Sequence, residues 1–220
     1  MLKYIKLLFL LGVLGQAALG WAAAPTANLD TILKGIEQRY AGKGFSADFF
    51  QESMLKAMQI SDTAEGHLTV KRPDKMRWEY TMPDPQTIIT DGQSLWIYRP
   101  EDNQVMVGKA PDFFGRGRGA GFLSNMNSIR KSFVIKLQPA ENDDYYRLEL
   151  TPNKPTAEIS RIVISAHNAT FQVDQVITYN AYGDETRIVL SDYRFDLDPD
   201  DALFKMNIPD GADVVQVDKP

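Results

Sequence analysis

Two histidines, His67 and His167, are the only imidazoles available as bases or metal ligands, and the 220 residues contain no cysteine. Neither histidine lies in a recognisable site motif, and no Gly-x-Ser-x-Gly elbow offers an activated serine. The chain therefore reads as a non-enzyme with no cofactor. Asp196-Leu197-Asp198-Pro199-Asp200 has the opening spacing of a calcium loop. Its sixth position is Asp201 rather than glycine and its twelfth is Asn207 rather than glutamate, so both the turn and the bidentate ligand are missing. Asp198 reads better as the cap of a short helix whose first residue is Pro199. Arg72 is the residue that most needs an explanation. Counting parity from Leu68 and Val70 puts it on the apolar face of a strand, where a guanidinium must turn to solvent or meet polar acceptors from another element.

The elements that position Arg72 are mainly strands. Period-two alternation predicts strands near 45–50, 65–71, 76–80, 86–90, 94–98 and 104–107, with Asp91-Gly92 as a hairpin turn. They resume near 131–138, 145–151, 158–166, 172–179 and 186–194. About eleven strands without a βαβ rhythm indicate one large antiparallel sheet, closed or curled as a barrel. Ahead of it Leu29, Ile32, Leu33, Ile36 and Tyr40 form one face of a helix beginning at Asn28, with Gly42 beyond its end. His67 has the opposite parity to Leu68 and Val70, so it faces outward. Leu95-Trp96-Ile97-Tyr98 and Arg161-Ile162-Val163-Ile164 are apolar on both faces, which requires cover on the outside of the sheet as well.

Between the two sets of strands lies an irregular excursion from Pro111 to Ile129. Glycines at alternate positions from Gly115 to Gly121 suit neither a regular helix nor a strand. Beyond them Phe122, Leu123, Met126 and Ile129 fall on one side of a short helix, and Phe113 and Phe114 precede the glycines. An apolar helix beside a sheet reads as a lid over its concave face, or as a plug in a barrel end. A phosphate loop is excluded by the missing Gly-Lys-Ser/Thr.

Lys3 and Lys6 precede an apolar run from Leu7 to Leu14, followed by Gly20, Ala22, Ala23 and Ala24: a secretory signal peptide over residues 1–24, cut after Ala22 or Ala24. Residues 25–220 then form a single domain. Without Lys3 and Lys6, 22 basic side chains face 29 acidic ones, a net charge of −7 that argues against nucleic acid or an anionic membrane as main partner.

The order of these motifs resembles the LolA family, periplasmic carriers of outer-membrane lipoproteins, over essentially all of the mature length. The resemblance rests on Phe45-x-Ala47-x-Phe49-x-Gln51, on Gly66 with Leu68, Val70 and Lys71-Arg72-Pro73, and on Trp78. It continues through Asp91-Gly92 with Leu95-Trp96-x-Tyr98, and Leu203-Phe204 with Ile208-Pro209-x-Gly211. It implies a strongly curled, incomplete antiparallel barrel whose apolar concave face is covered by short helices. It also implies a monomer that takes acylated lipoproteins from the inner-membrane transporter LolCDE and hands them to the receptor LolB. Carried over by motif, Phe45, Phe49, Leu68, Val70, Met76 and Trp78 are expected to line the lipid cavity. Phe113, Phe114, Phe122, Leu123, Met126 and Ile129 are expected to form the lid, and Arg72 to latch it through lid backbone. Met76 stands where a family example carries phenylalanine, and the lid here is richer in glycine. A carrier or sensor of another lipid or glycolipid on the same fold is the alternative.

Overall fold

The computed structural model describes residues 28–110 and 127–217. The expected signal segment and the lid residues Phe113, Phe114, Phe122, Leu123 and Met126 lie outside them.

The first helix, α1 (Leu29–Arg39), starts where Asn28 Oδ1 accepts from Thr31 N at 2.8 Å, and it buries Ile32, Leu33, Gly35 and Ile36. Asp30 in its first turn and Arg39 in its last complement the helix dipole. Six strands follow: β1 (Gly44–Leu55), β2 (Ile60–Lys71), β3 (Lys75–Met82), β4 (Gln86–Thr90), β5 (Ser94–Arg99) and β6 (Gln104–Lys109). A short helix, α2 (Asn127–Ser132), leads into β7 (Phe133–Gln138), β8 (Tyr145–Pro152), β9 (Arg161–His167), β10 (Val173–Tyr179) and β11 (Glu185–Leu197). A 3-10 turn (Asp201–Phe204) and β12 (Asp213–Gln216) complete the described chain.

All twelve strands form one open sheet in the order β12-β6-β5-β4-β3-β2-β1-β11-β10-β9-β8-β7. Two meanders are thus joined by the β1–β11 pair. Phe45, Phe49, Leu68, Met76 and Trp78 of one share a single buried cluster with Leu148, Leu150, Ile162 and Ile164 of the other. Strands so far apart in the order share a core only if the sheet curls round on itself, which it does without closing: β7 and β12 remain edges. Helix α1 packs its buried stripe into the same cluster.

Three features differ from the sequence expectation. The β1–β2 hairpin extends through Leu55 and Ile60. Its outer part is exposed on both faces and so carries no alternation signal. A twelfth strand pairs parallel to β6, with Asp213 opposite Gln104 and Gln216 opposite Val107. Asp198 does not cap a helix at Pro199. Asp200 caps the 3-10 turn instead, its Oδ1 accepting from Ala202 N at 2.9 Å. Asp198 sits where two ammoniums converge, 2.6 Å from Lys43 and 3.2 Å from Lys71, and ion pairing outcompetes capping there.

The segment from Asp198 to β12 is the outer cover for the first of the two sets of doubly apolar strands. It leaves β11 and reaches β6, six strands away in the order, by crossing the convex face. Lys71 Nζ donates to Pro199 O at 2.7 Å and Arg77 Nη1 to Leu203 O at 3.3 Å. Phe204 and Ile89, the latter paired with Arg77 and Trp96 on this outer face, are each 1% exposed.

Candidate functional site: the concave face of β1–β3

The register of β1, β2 and β3 arranges the inner face in rows. Phe45, Val70 and Met76 form one row, Ala47, Leu68 and Trp78 the next, and Phe49, Gly66 and Tyr80 the third. Gly66 is a blank in that wall. A Cβ there would lie 2.0 Å from Glu79 O and 2.9 Å from Phe49 Cζ, so only glycine allows these strands and rings to approach. Phe49 meets both Trp78 and Tyr80 edge-on at 4.9 Å between centroids. Tyr80 Oη donates to Gln51 Oε1 at 3.2 Å, and burial pushes its hydroxyl up to about 12.

Beyond the Phe45 row the face ends at Arg72. Its backbone N donates to Lys43 O at 2.8 Å, fixing the chain just past the end of β2. The side chain is half-buried, and Nε and Nη2 are buried without an acceptor among the described residues. Desolvation weakens the hold of the guanidinium on its proton, partly offset by Tyr40 and Asp74. Nearby, an aromatic group closes the end of the core. Tyr40 lies edge-on to Phe45 at 5.2 Å and to Phe195 at 5.5 Å, while Tyr193 and Phe195 stack at 5.0 Å. The Tyr40 hydroxyl accepts from Val173 N at 3.0 Å and bonds Tyr193 Oη at 3.1 Å, while Tyr193 Oη donates to Val173 O at 2.6 Å. Burial raises the Tyr40 hydroxyl to about 12 and the Tyr193 hydroxyl well above its ordinary range. Both phenols stay neutral and structural.

All six residues expected to line a cavity, Phe45, Phe49, Leu68, Val70, Met76 and Trp78, lie together in the buried cluster at 3% exposure or less. Ile129, the one expected lid residue within the described chain, joins them at 3%. Arg130 holds α2 in place: its Nε meets Glu37 Oε1 at 2.6 Å and its Nη1 meets Asp30 Oδ1 at 2.9 Å, both on α1. Sequence reasoning did not assign Tyr80, Ile88 or Leu95 to the same wall, nor Leu148, Leu150, Ile162, Ile164, Ile188 and Leu190 opposite, although their period-two spacing carried the signal.

The histidines are far from this chemistry. His67 faces outward, as parity requires, with Nδ1 2.7 Å from Asp48 Oδ1. His167 Nδ1 accepts from Ala169 N at 3.2 Å within its own turn. Among the described residues no group of three or more His, Asp or Glu side chains could hold a metal. The inner face offers apolar area and two kinds of N–H donor, the guanidinium of Arg72 and the indole of Trp78.

A family model described as outer membrane lipoprotein carrier protein LolA matches residues 41–207. The chain belongs to the LolA family. The LolA match spans β1 to the 3-10 turn and contains Arg72 and all six wall residues. An outer-membrane lipoprotein carrier protein of Chromobacterium violaceum is 33% identical over 214 residues, 97% of this chain and 100% of that one. The protein of the same name from Neisseria gonorrhoeae is 30% identical over 78% of this chain and 80% of its own. Among solved structures, an uncharacterized conserved protein from Thermus thermophilus superposes with a TM-score of 0.56 at 11% identity, covering 85% of this chain and 98% of that one. It shares the fold with the LolA architecture described here.

Proposed function

We propose that the mature chain is a periplasmic carrier that shelters the acyl chains of lipoproteins between the inner and outer membranes. The observation that carries this reading is a continuous apolar inner face, in a LolA-family chain, ending at an arginine whose buried donors have no partner among the described residues. The proposal includes a signal peptide removed after Ala22 or Ala24, a monomeric carrier, loading by LolCDE and delivery to LolB.

Energetics favour incomplete burial of cargo. Each methylene withdrawn from water contributes about 0.8 kcal/mol, so several fully buried acyl chains would bind too tightly to be released. A latch that competes with cargo supplies the release. In this reading Phe113, Phe114, Phe122, Leu123, Met126 and Ile129 form the lid, and lid carbonyls accept from Arg72. Loading breaks those bonds, and unloading restores them.

The test uses the mature protein and a fluorescent fatty acid. Saturable binding, displaced by a triacylated peptide, is expected, whereas no saturable binding would count against the carrier. Arg72→Leu is expected to load as well as the parent protein and to transfer poorly to an acceptor. Normal transfer would remove the latch from the proposal.

A further inference from the structure

Trp78 lies midway down the inner face of β3, paired with Leu68 on one side and Ile88 on the other, and is 2% exposed. Its indole Nε1 is buried, and no acceptor among the described residues reaches it. Native cores almost always pair a buried N–H, because an unpaired one forfeits the hydrogen bond it made to water in the unfolded chain. Buried tryptophans accordingly tend to keep the N–H at a carbonyl or at solvent. Here the ring is held by its 4.9 Å contact with Phe49 at an interplanar angle of 67°.

Arg72 carries the other unpaired donors of this face. Arg72 stands four positions beyond Leu68, the partner of Trp78, so the two donor-bearing residues are spaced about 13 Å along the backbone of the sheet. Val70 and Met76 fill the space between. The face therefore presents one charged donor at its end, one neutral donor deeper in, and hydrocarbon between them.

We infer that the Trp78 Nε1–H donates to the carbonyl oxygen of an ester or amide at the root of a bound acyl chain, making Trp78 the residue by which this face distinguishes acyl from alkyl. The inference rests on the carrier reading and specifies its ligand. An apolar wall accepts any hydrocarbon of suitable length and cannot tell the two apart. The acyl carbonyl is a pure acceptor, and it must itself be paired when it leaves water. A neutral N–H pairs it without burying a charge. The Arg72 guanidinium remains available for lid or headgroup oxygens.

Two probes with equal chain lengths test this: a diacylglyceryl peptide with ester links and its dialkyl analogue with ether links. The mature protein is expected to bind the ester probe about 5- to 10-fold more tightly, the worth of one ordinary hydrogen bond. Trp78→Phe keeps an aromatic ring and removes the N–H, so whatever it does to overall affinity, the ratio of ester to ether binding should fall to about one. Ultraviolet resonance Raman difference spectra, parent minus Trp78→Phe, isolate this indole. The band sensitive to N–H hydrogen bonding should move on loading with ester and stay put with ether, a readout that does not depend on the variant's affinity. Equal binding of both probes by the parent protein, a preference retained by Trp78→Phe, or a band unmoved by ester overturns the inference alone. Failure of both probes to bind overturns the carrier reading with it.

Discussion

The two meanders of the sheet meet the same demand, apolar residues on both faces, in different ways. In the first, β2 to β6, the convex side is covered by another piece of chain, the segment between β11 and β12, whose own Phe204 is buried, as is Ile89 on the convex face of β4. In the second, Val163 and Ile177 are buried on the convex side at 4% and 5% exposure by the strands' own long side chains. Their cross-strand neighbours are Glu149 and Arg187. Arg161 reaches Glu149 at 3.6 Å and lies 4.1 Å over the ring of Tyr179, while Arg187 meets Glu185 at 2.9 Å. The methylene stems lie over the apolar residues while the ion-paired ends stay partly exposed, although Arg187 Nε is buried without a partner among the described residues. The inner faces differ as well. Leu148, Leu150, Ile162, Ile164 and Ile188 are plain aliphatics, whereas the β1–β3 face holds Gly66 and the donors of Arg72 and Trp78 that are unpaired among the described residues. One meander is a passive wall, and the residues with something to offer a ligand are concentrated on the other.

The largest expected effect is at Gly66. Gly66→Val places side-chain carbon against Glu79 O and the Phe49 ring, and overpacking of this kind should cost about 3 kcal/mol or more in urea unfolding. A near-neutral result would mean that the three rows are not in tight register. Next comes the cover of the first meander. Phe204→Ala should cost about 3 kcal/mol, read in the same way, through lost burial and an unfilled cavity. The third effect is acid release of that cover. Lys75 and Lys71 hold the Asp201 carboxyl down to about 2, and Lys43 and Lys71 lower that of Asp198, against an ordinary value of 3.8. A depressed carboxylate favours the folded state above its unfolded value, so this contribution is complete at neutral pH and disappears as pH falls from 3.8 towards 2. Thermal melts across that window should flatten in Asp201→Asn. The smallest effect belongs to the second meander: Arg161→Ala should cost less than about 1 kcal/mol, because exposed ion pairs and ring contacts contribute little. A loss as large as that of Phe204→Ala would erase the contrast between the two kinds of cover.

Much of the wall was legible in the sequence because a half-buried strand writes its inner face as every second residue. Leu68, Val70, Met76 and Trp78 could be assigned to one face by counting, and so could the outward turn of His67. The turn at Asp91-Gly92 was equally local: Asp91 Oδ1 accepts from Gln93 N and Ser94 N at 2.9 and 2.8 Å, and Gly92 takes φ +95°. What could not be read depends on partners distant in sequence. All four residues of β12 are exposed, so no alternation marks it, and only β6 makes it a strand. Asp198 carried a plausible capping signature, but Lys43 and Lys71 arrive from more than a hundred residues away. The unpaired state of the Trp78 N–H is likewise a property of the assembled face.

The position of β1 between β2 and β11 has a temporal side. Its first edge is satisfied by the next strand in the chain, with Leu55 opposite Ile60, but its second waits for residues up to Leu197, the partner of Gly44. A chain made or exported from its N-terminus can zip the first meander early, yet must carry the other edge of β1 open until nearly all of it has emerged. Such long-range pairing folds slowly, and an unpaired strand edge invites the wrong neighbour meanwhile. The joint that unites the two halves thus forms late, with only the β12–β6 pair drawing on residues further along, and the interval before it closes is when the chain is most exposed to aggregation or proteolysis.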